Sequence, residues 1–514
     1  MKHNLLTAFV CCALSLASCS GCSDSGNDDE PNGGNDATAN FALADNVSAY
    51  NLKADGGSQT ITFTVSQASL EMSAQPSADW LTATKGNASD SEQKWTVTAS
   101  ANTTSSERTA TVTFSATDVD KTIDVTFTQA RTLTVDEAMA SDAKTLISKI
   151  YAGINIGNTM ECNNSDDEKA ETAWGNPLIN EDYIKGLKTL GFNAVRIPCA
   201  WHSHLSDTEN YTISSKWLER VKTVVDYCIN NDMYVVLNSH WDTGWLEDNI
   251  FSSGKRKLIL AEQTAIWTQI ANTFINYDEH LIFSGSNEPG MNETSSGGKK
   301  WEGTEGESAI KRLVSYEQAF IDAVRATGGN NAKRCLVFQG LGTDIASTYS
   351  YMTTLPTDNV ENRLIAEVHF YEPYQWALME DDASWGKVFY YWGKDNHKDG
   401  SAHNPTWGEE SHVDSQFAKM KEKFVDAGIP VIVGEYSTRI QTYGTDDSET
   451  FDVELHKKSR AYYNKYVTMV AKNNGCATFY WETGSEISRT TGEAKNQYAI
   501  DGIMEGASQG KYPF

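Results

Sequence analysis

The chain reads as a (β/α)₈ barrel preceded by a small all-β, immunoglobulin-like sandwich, and three features of its sequence point there. From Lys144 to the C-terminus, eight short apolar runs recur, with polar or catalytic-type residues at or just past their ends. Helix-like stretches such as Lys216–Asn230 and Ala261–Asn276 separate them. Before that point, the pattern changes to period-two alternation broken by Gly, Asn, Ser and Asp. Continuous apolar strands alternating with helices make a parallel sheet covered on its faces, and eight such units close into a barrel. Short alternating strands with frequent turn residues make a sandwich.

The eight runs are Gly153–Gly157, Ala194–Pro198, Tyr234–Asn238, Leu281–Gly285, Cys335–Gln339, Leu364–His369, Pro430–Gly434 and Ala477–Trp481. The sandwich is carried by alternation in Gln59–Val65, Lys94–Ala99, Thr109–Ser115 and Thr122–Thr128. With 514 residues the chain is long enough for both units. The expected division is a signal peptide over 1–18, a tether over 19–40, the sandwich over 41–130, a connector over 131–143 and the barrel over 144–514.

The N-terminus reads as an export signal. Lys2 precedes an apolar run from Leu5 to Ala17, too short for a permanent membrane span. It ends in Leu16-Ala-Ser-Cys19, which resembles a bacterial lipobox and implies lipidation of Cys19. Acyl chains contribute roughly 0.8 kcal/mol per buried CH₂, enough together for firm anchoring. The acidic stretch Asp24–Glu30 behind it resembles the surface-export tract of Bacteroidetes lipoproteins, so an outer-membrane, surface-exposed location in the cell envelope is expected. The Ser-, Asn-, Asp- and Gly-rich segment that follows has too few large apolar residues to fold.

The formal charge of −27 repels nucleic acid and anionic polymers, so neither is an expected partner, whereas a neutral glycan is indifferent to it. The 14 Trp and 22 Tyr fit a sugar-binding cleft, but taken alone they favour a large barrel core. Of nine Cys, Cys162, Cys199, Cys228, Cys335 and Cys476 lie beyond the leader and tether. No CxxC or Cys/His spacing suggests a metal, and the five read as buried small apolar residues. A monomer is expected.

In such a barrel the C-terminal strand ends form the active face, so polar residues there are candidates for chemistry. Two carboxylates stand out: Glu288 after the fourth strand, in Ser284-Gly-Ser-Asn-Glu-Pro289, and Glu435 after the seventh, in Val431-Ile-Val-Gly-Glu-Tyr436. Strands four and seven face each other across the mouth, which allows the pair to flank a glycosidic bond. Acetal cleavage needs a proton for the leaving oxygen and a partner for the oxocarbenium-like carbon, and two carboxyl groups supply both without a cofactor.

Asn287-Glu288-Pro289 resembles the signature of glycoside hydrolase family 5, within clan A. The resemblance continues in Val195-Arg196-Ile-Pro198, Asn238-Ser-His240-Trp241, His369-Phe-Tyr371, Gly434-Glu435-Tyr436 and Trp481, in order along the barrel. Ile154–Asn158, Trp174–Pro177 and His240–Trp245 are similar to subfamily 4, which holds endo-β-1,4-glucanases, xyloglucanases and mixed-linkage glucanases. Ser77–Leu81, Glu107–Val112 and Val125–Gln129 resemble a BACON domain, for which sugar binding and a spacer role both stand open; Trp80 within it is either core or ligand platform.

The resemblance implies a retaining double displacement with Glu288 as acid/base and Glu435 as nucleophile, their carboxyl groups roughly 5–5.5 Å apart. Arg196 and Tyr371 are expected to hydrogen-bond Glu435, Arg196 drawing its pKa down. Glu288 is expected to begin protonated, held so by the Glu435 anion until the sugar esterifies it. Asn287 is implied to meet the sugar 2-OH, His240 and His369 to line the site with His369 tuning Glu288, and Trp481 to floor the reacting sugar. Trp174, Trp201, Trp245 and Trp376 are candidates for outer subsites. The loop from Glu372 to His412 is expected to wall one end of the cleft. The substrate class is neutral β-1,4-glucan, cellulose-like, xyloglucan or mixed-linkage. A β-mannanase and a non-catalytic surface glycan-binding lipoprotein are the two rival readings.

Overall fold

The computed structural model describes residues 39–291, 297–441 and 451–514, and it divides into two units at Thr132/Leu133. Cys19 and the leader lie outside the described residues.

The first unit contains strands β1 (Phe41–Leu43), β2 (Ala49–Leu52), β3 (Gly57–Val65), β4 (Met72–Pro76), β5 (Leu81–Ala88), β6 (Glu92–Ala99), β7 (Arg108–Ala116) and β8 (Val119–Gln129). They form two four-stranded sheets, β1-β3-β6-β5 and β2-β8-β7-β4. Alternate residues of both sheets meet in a core of Ile61, Phe63, Val97, Val112, Phe114, Val125 and Phe127. Trp80 is half-buried against this core, with the Arg108 guanidinium 4.5 Å from its ring centroid.

The second unit is a closed barrel of eight parallel strands. They are β9 (Gly153–Asn155), β10 (Ala194–Ile197), β13 (Tyr234–Asn238), β14 (Leu281–Ser284), β15 (Leu336–Gln339), β16 (Leu364–Phe370), β17 (Val431–Tyr436) and β18 (Cys476–Tyr480). A short hairpin, β11 (Leu205–Asp207) with β12 (Thr212–Ile213), follows β10. All eight barrel strands coincide with the apolar runs of the sequence.

The connector differs from its expectation. Residues 131–143 are not a plain linker: they carry helix α1 (Val135–Ala138) and run into α2 (Ala143–Lys149). Thr134 and Glu137 form a capping box on α1, and Asp142 caps α2 through Thr145 N. Arg363 donates to the carbonyls of Met139 and Ser141, and Glu279 accepts from Ser141 N at 2.7 Å. Ala143, Leu146, Ile147 and Ile150 then close one end of the barrel against its inward-facing residues.

Those inward-facing residues come in two layers. The layer next to α2 is apolar: Ala194, Val236, Ile282, Val337, Ile365, Ile432 and Ala477. Two residues on, the same faces of β9, β10 and β13–β16 present Asn155, Arg196, Asn238, Ser284, Gln339 and Glu367, all buried. Strand side chains alternate, so a step of two keeps the face and changes only the height.

Glu435 breaks this count and still arrives inside. Ile432 packs inward and Val433 outward, so strict alternation would send Glu435 outward with Val433. The register shifts instead: Val433 pairs with Val368, but Glu435 pairs with His369, which leaves Gly434 as an extra residue. This β-bulge turns Glu435 inward and Tyr436 out into the helix layer. A Cβ on Gly434 would lie 1.9 Å from Glu367 Oε1, so only glycine fits there.

Candidate active site

The polar layer is organised around Arg196, which is fully buried on β10. Its Nη1 donates to Asn155 Oδ1 and to Glu435 Oε1, both at 3.0 Å. Its Nη2 donates to Asn287 Oδ1 at 2.7 Å, and its Nε lies 3.0 Å from Glu367 Oε1. One guanidinium therefore ties β9, β10, β16, β17 and the segment after β14 together and sets the position of Asn287 and Glu435. With its oxygen turned to Arg196, the Asn287 amide directs its N–H groups the other way.

Glu435 is 5% exposed and receives a second hydrogen bond from Tyr371 Oη, at 2.8 Å from Oε2. His369 sits between the carboxylates. Its Nδ1 is 2.9 Å from Glu288 Oε1 and 3.7 Å from Glu435 Oε2, and its Nε2 is 3.3 Å from Glu367 Oε1. Burial opposes charge on this ring, but Glu435, Glu288 and Glu367 outweigh burial and raise it from 6.5 to about 9. It is then an imidazolium with both nitrogens donating.

Glu367 is the matching anion: burial works against it, yet Arg196, His369 and the Ser284 hydroxyl (2.7 Å) hold it down at about 2. The Glu435 carboxyl behaves differently from the expectation. Burial pushes it above its ordinary 4.5, His369, Arg196 and Tyr371 pull it down, Glu288 adds to the rise, and the net direction is upward. Arg196 does hydrogen-bond Glu435, but its charge is shared with Glu367 and does not overcome desolvation.

Oxygens of Glu288 and Glu435 and a nitrogen of His369 all lie within 4.8 Å of one another. Such a trio can also ligate a metal, but a cation there would face Arg196 and an imidazolium whose nitrogens already engage carboxylates. Arg196 and His369 balance Glu367 and Glu435 without one. Glu288 stands at φ 44°, a left-handed conformation unusual for a residue with a side chain, immediately beyond Asn287.

The expected sugar-lining residues converge on the same mouth. His240 stacks on Trp481 with ring centroids 5.7 Å apart and planes within 9°. Its Nδ1 is 3.3 Å from the Asn238 amide nitrogen, and burial, Arg196 and His369 push its pKa well below the ordinary value. It is a neutral ring that accepts at Nδ1 and carries its proton on Nε2. Trp481 is half-exposed over Gly157, where a Cβ would come within 3.0 Å of the indole.

The outer tryptophans separate. Trp174 is exposed. Trp201, Trp245 and Trp376 are buried in the helix-side core and cannot stack on a sugar. Trp245 lies parallel to His202 at 6.1 Å, and Trp376 packs edge-on against His456 at 5.5 Å. A position just past a strand end does not decide whether the ring turns up to solvent or back under the loop. Trp241, next to His240, is exposed; the sequence reading quotes it in a motif and gives it no role. Asn155, Ser284 and Glu367 receive none either. For Glu367 a signal existed: a carboxylate inside an apolar strand, two residues before His369 and therefore on its face.

The Cellulase family model, glycosyl hydrolase family 5, matches residues 158–486. The chain belongs to glycosyl hydrolase family 5. A second model, BACON, described as a putative N-terminal binding domain, matches residues 70–130. Among curated relatives, a xyloglucan-specific endo-β-1,4-glucanase of Bacteroides ovatus is 32% identical over 372 residues, 70% of this chain and 69% of that protein. Endoglucanase A of Paenibacillus barcinonensis is 33% identical over 401 residues, 72% of this chain and 92% of that one. Among solved structures, a family 5 xyloglucan-specific β-1,4-glucanase from a ruminal metagenomic library is 39% identical with a TM-score of 0.66, covering 73% of this chain and 98% of its own. The Bacteroides ovatus family 5 xyloglucanase bound to a heptasaccharide is 30% identical with a TM-score of 0.64, covering 91% and 100%. The family 5 barrel is thus the context in which Glu288, Glu435 and their partners meet.

Proposed function

We propose that this family 5 glycoside hydrolase is an endo-β-1,4-glucanase that cuts neutral β-glucan with retention of configuration, with Glu435 as nucleophile and Glu288 as acid/base. The observation that carries the reading is the approach of these two carboxylates, within 4.8 Å across the barrel mouth, from strands on opposite sides of it. Covalent catalysis requires this short range; an intervening water requires a wider gap.

Glu435, oriented by Arg196 and Tyr371, attacks the anomeric carbon while Glu288 protonates the departing oxygen. The C–O bond breaks and a glycosyl ester forms on Glu435. Water then attacks the anomeric carbon, Glu288 takes the water's proton, the bond from that carbon to the Glu435 oxygen breaks, and Glu435 leaves as a carboxylate. As the ester forms, Glu435 loses its negative charge, so Glu288 can carry one while it acts as base, with His369 Nδ1 beside it at 2.9 Å. Asn287 N–H donates to the sugar 2-OH, and Trp481 with His240 forms the wall beside the ring. The relatives named as xyloglucan-specific make xyloglucan the first substrate to assay, followed by mixed-linkage and cellulose-like glucans. The export signal, the Cys19 lipobox and the acidic tract support a lipid-anchored protein at the outer face of the cell envelope, and loss of lipid labelling in Cys19→Ala tests the anchor.

The deciding experiment is Glu435→Ala with added azide. An α-glycosyl azide from a β-linked substrate supports the assignment, and rescue with β-configuration overturns it.

A further inference from the structure

Glu317 lies on helix Gly303–Ala326, on the helix side of the barrel wall, and is 1% exposed. Its Oε1 accepts from Ser286 Oγ at 2.5 Å and from Gln339 N at 3.3 Å. Burial pushes its carboxyl up to about 7; the bonds from Ser286 and Gln339 pull the other way, and Glu367 adds to the rise. Placing a carboxyl group this deep is costly, and the reaction described above makes no use of it.

What Glu317 holds is the strand end that carries the acid/base. β14 and β15 pair as Phe283 with Leu336 and Ser284 with Val337, and Gly285 N then donates to Val337 O at 3.1 Å. By the same count Ser286 comes opposite Gln339, and Glu317 Oε1 bridges these two. The neighbouring helix Arg256–Thr273 holds Gly285, with Gln263 Nε2 and Trp267 Nε1 donating to its carbonyl at 2.8 and 3.3 Å. A Cβ on Gly285 would come within 2.6 Å of Glu317 Oε2 and of the Phe320 ring, so the chain passes directly against the Glu317 helix. Glu288 follows Ser286 by two residues, at φ 44°, a conformation that a residue with a side chain keeps only when its surroundings impose it. Asn287 is anchored by Arg196, and Pro289 O accepts from Gly342 N at 3.0 Å. Ser286 takes its anchor from Glu317.

We propose that Glu317 is a positioning residue for proton delivery: by bridging Ser286 and Gln339 behind the barrel wall, it fixes the turn from which Glu288 reaches the leaving oxygen. Glu435 is held by a separate set of partners, Arg196 and Tyr371, so the effect falls on the acid/base and not on the nucleophile. Glu317 acts through the backbone between Ser286 and Glu288 and not on the sugar. The oxygen that accepts both bonds is present in a carboxylate, a carboxylic acid and an amide alike, so Glu317 supplies geometry and not charge. This inference rests on the reading of Glu288 as acid/base.

The test measures kcat/KM of the full-length protein on two aryl β-cellobiosides, one with a dinitrophenyl leaving group that needs no proton and one with a phenyl group that does. Glu317→Ala is expected to lose about tenfold on the phenyl substrate and less than about twofold on the dinitrophenyl one, because only the first needs Glu288 in place. Ser286→Ala breaks the same bond from its other end and is expected to show the same split, with the double variant losing no more than the worse single one. Glu317→Gln keeps the accepting oxygen and is expected to bring the phenyl substrate back to within about threefold of wild type. Equal losses on both substrates mark a residue that only supports the fold and overturn the proposal. No loss on either overturns it too, as does a Glu317→Gln as impaired as Glu317→Ala. Should Glu317→Ala not fold, Ser286→Ala decides by the same split. Glu288→Ala on the same pair keeps the two readings apart. Equal losses there remove Glu288 from the acid role, whereas a selective Glu288→Ala beside an unselective Glu317→Ala removes Glu317 alone.

Discussion

The two layers inside the barrel share one geometry and opposite chemistry. Below, Val236, Ile282, Val337, Ile365 and Ala477 fill the cylinder and meet α2. Above, Arg196, Asn155, Glu367 and Ser284 fill the same cylinder with charges and hydrogen bonds. The lower layer stabilises by close packing, and any lost volume costs directly. The upper layer is retained despite the cost of desolvating four charged groups, because it aims Glu435 and Glu288 at each other. One half of the cylinder is built for stability and the other for position.

Glu435→Gln is the strongest way to separate them: turnover of β-glucan should fall on the order of 10⁴-fold or more, with Tm unchanged or higher. A fall in Tm with little loss of turnover would reverse the division. Glu288→Ala should lower polysaccharide turnover about 10²- to 10⁴-fold, and far less on aryl glycosides whose leaving groups need no proton. Equal losses on both substrates would remove Glu288 from the acid role.

Glu367→Gln addresses the upper layer's structure. It leaves Arg196 and His369 without their shared anion and should cost about 3–5 kcal/mol in denaturant unfolding. It should also bring the His369 titration, followed by NMR, down from about 9 toward 6.5. Ile282→Ala in the lower layer should cost about 2–5 kcal/mol while leaving kcat at low temperature nearly intact. A large kcat loss there would show that the layers are not separable.

The smallest effect is on pH dependence. His369 is raised from 6.5 to about 9, so its contribution to stability is complete below pH 6.5 and fades as pH rises through about 9. Glu367 is lowered from 4.5 to about 2, so its contribution is complete above 4.5 and fades as pH falls through about 2. The stability difference between wild type and His369→Asn should be greatest below pH 6.5 and shrink toward pH 9 in urea titrations. For activity, the upward shift of Glu435 in the free protein moves the acid limb of kcat/KM upward from the ordinary carboxylate range.

How much of this the sequence discloses depends on whether a residue's face can be counted. The eight strands were legible because fully buried parallel strands are continuous apolar runs. Glu288, Glu435, Arg196, Tyr371 and His369 were legible because they stand at strand ends in family motifs, and the structure brings all five together. Period two does not place Glu435 inside; the bulge at Gly434 does, and bulges have no sequence period. Trp245 and Trp376 misled because loop geometry sets their rings, and residues 131–143 misled because two short capped helices leave too little periodicity to see. The direction of the Glu435 shift needed the burial of its neighbourhood, which composition does not contain.

Gly434 and Glu367 occupy one shared volume. Neither site can change freely while the other stays: a methyl group at 434 evicts the carboxylate at 367, and a shortened side chain at 367 opens a void beside the bulge. A lineage or a designer altering this corner of the barrel has to move both positions together, since each single step alone passes through a protein with either a displaced Arg196 partner or a hole behind the bond-making glutamate.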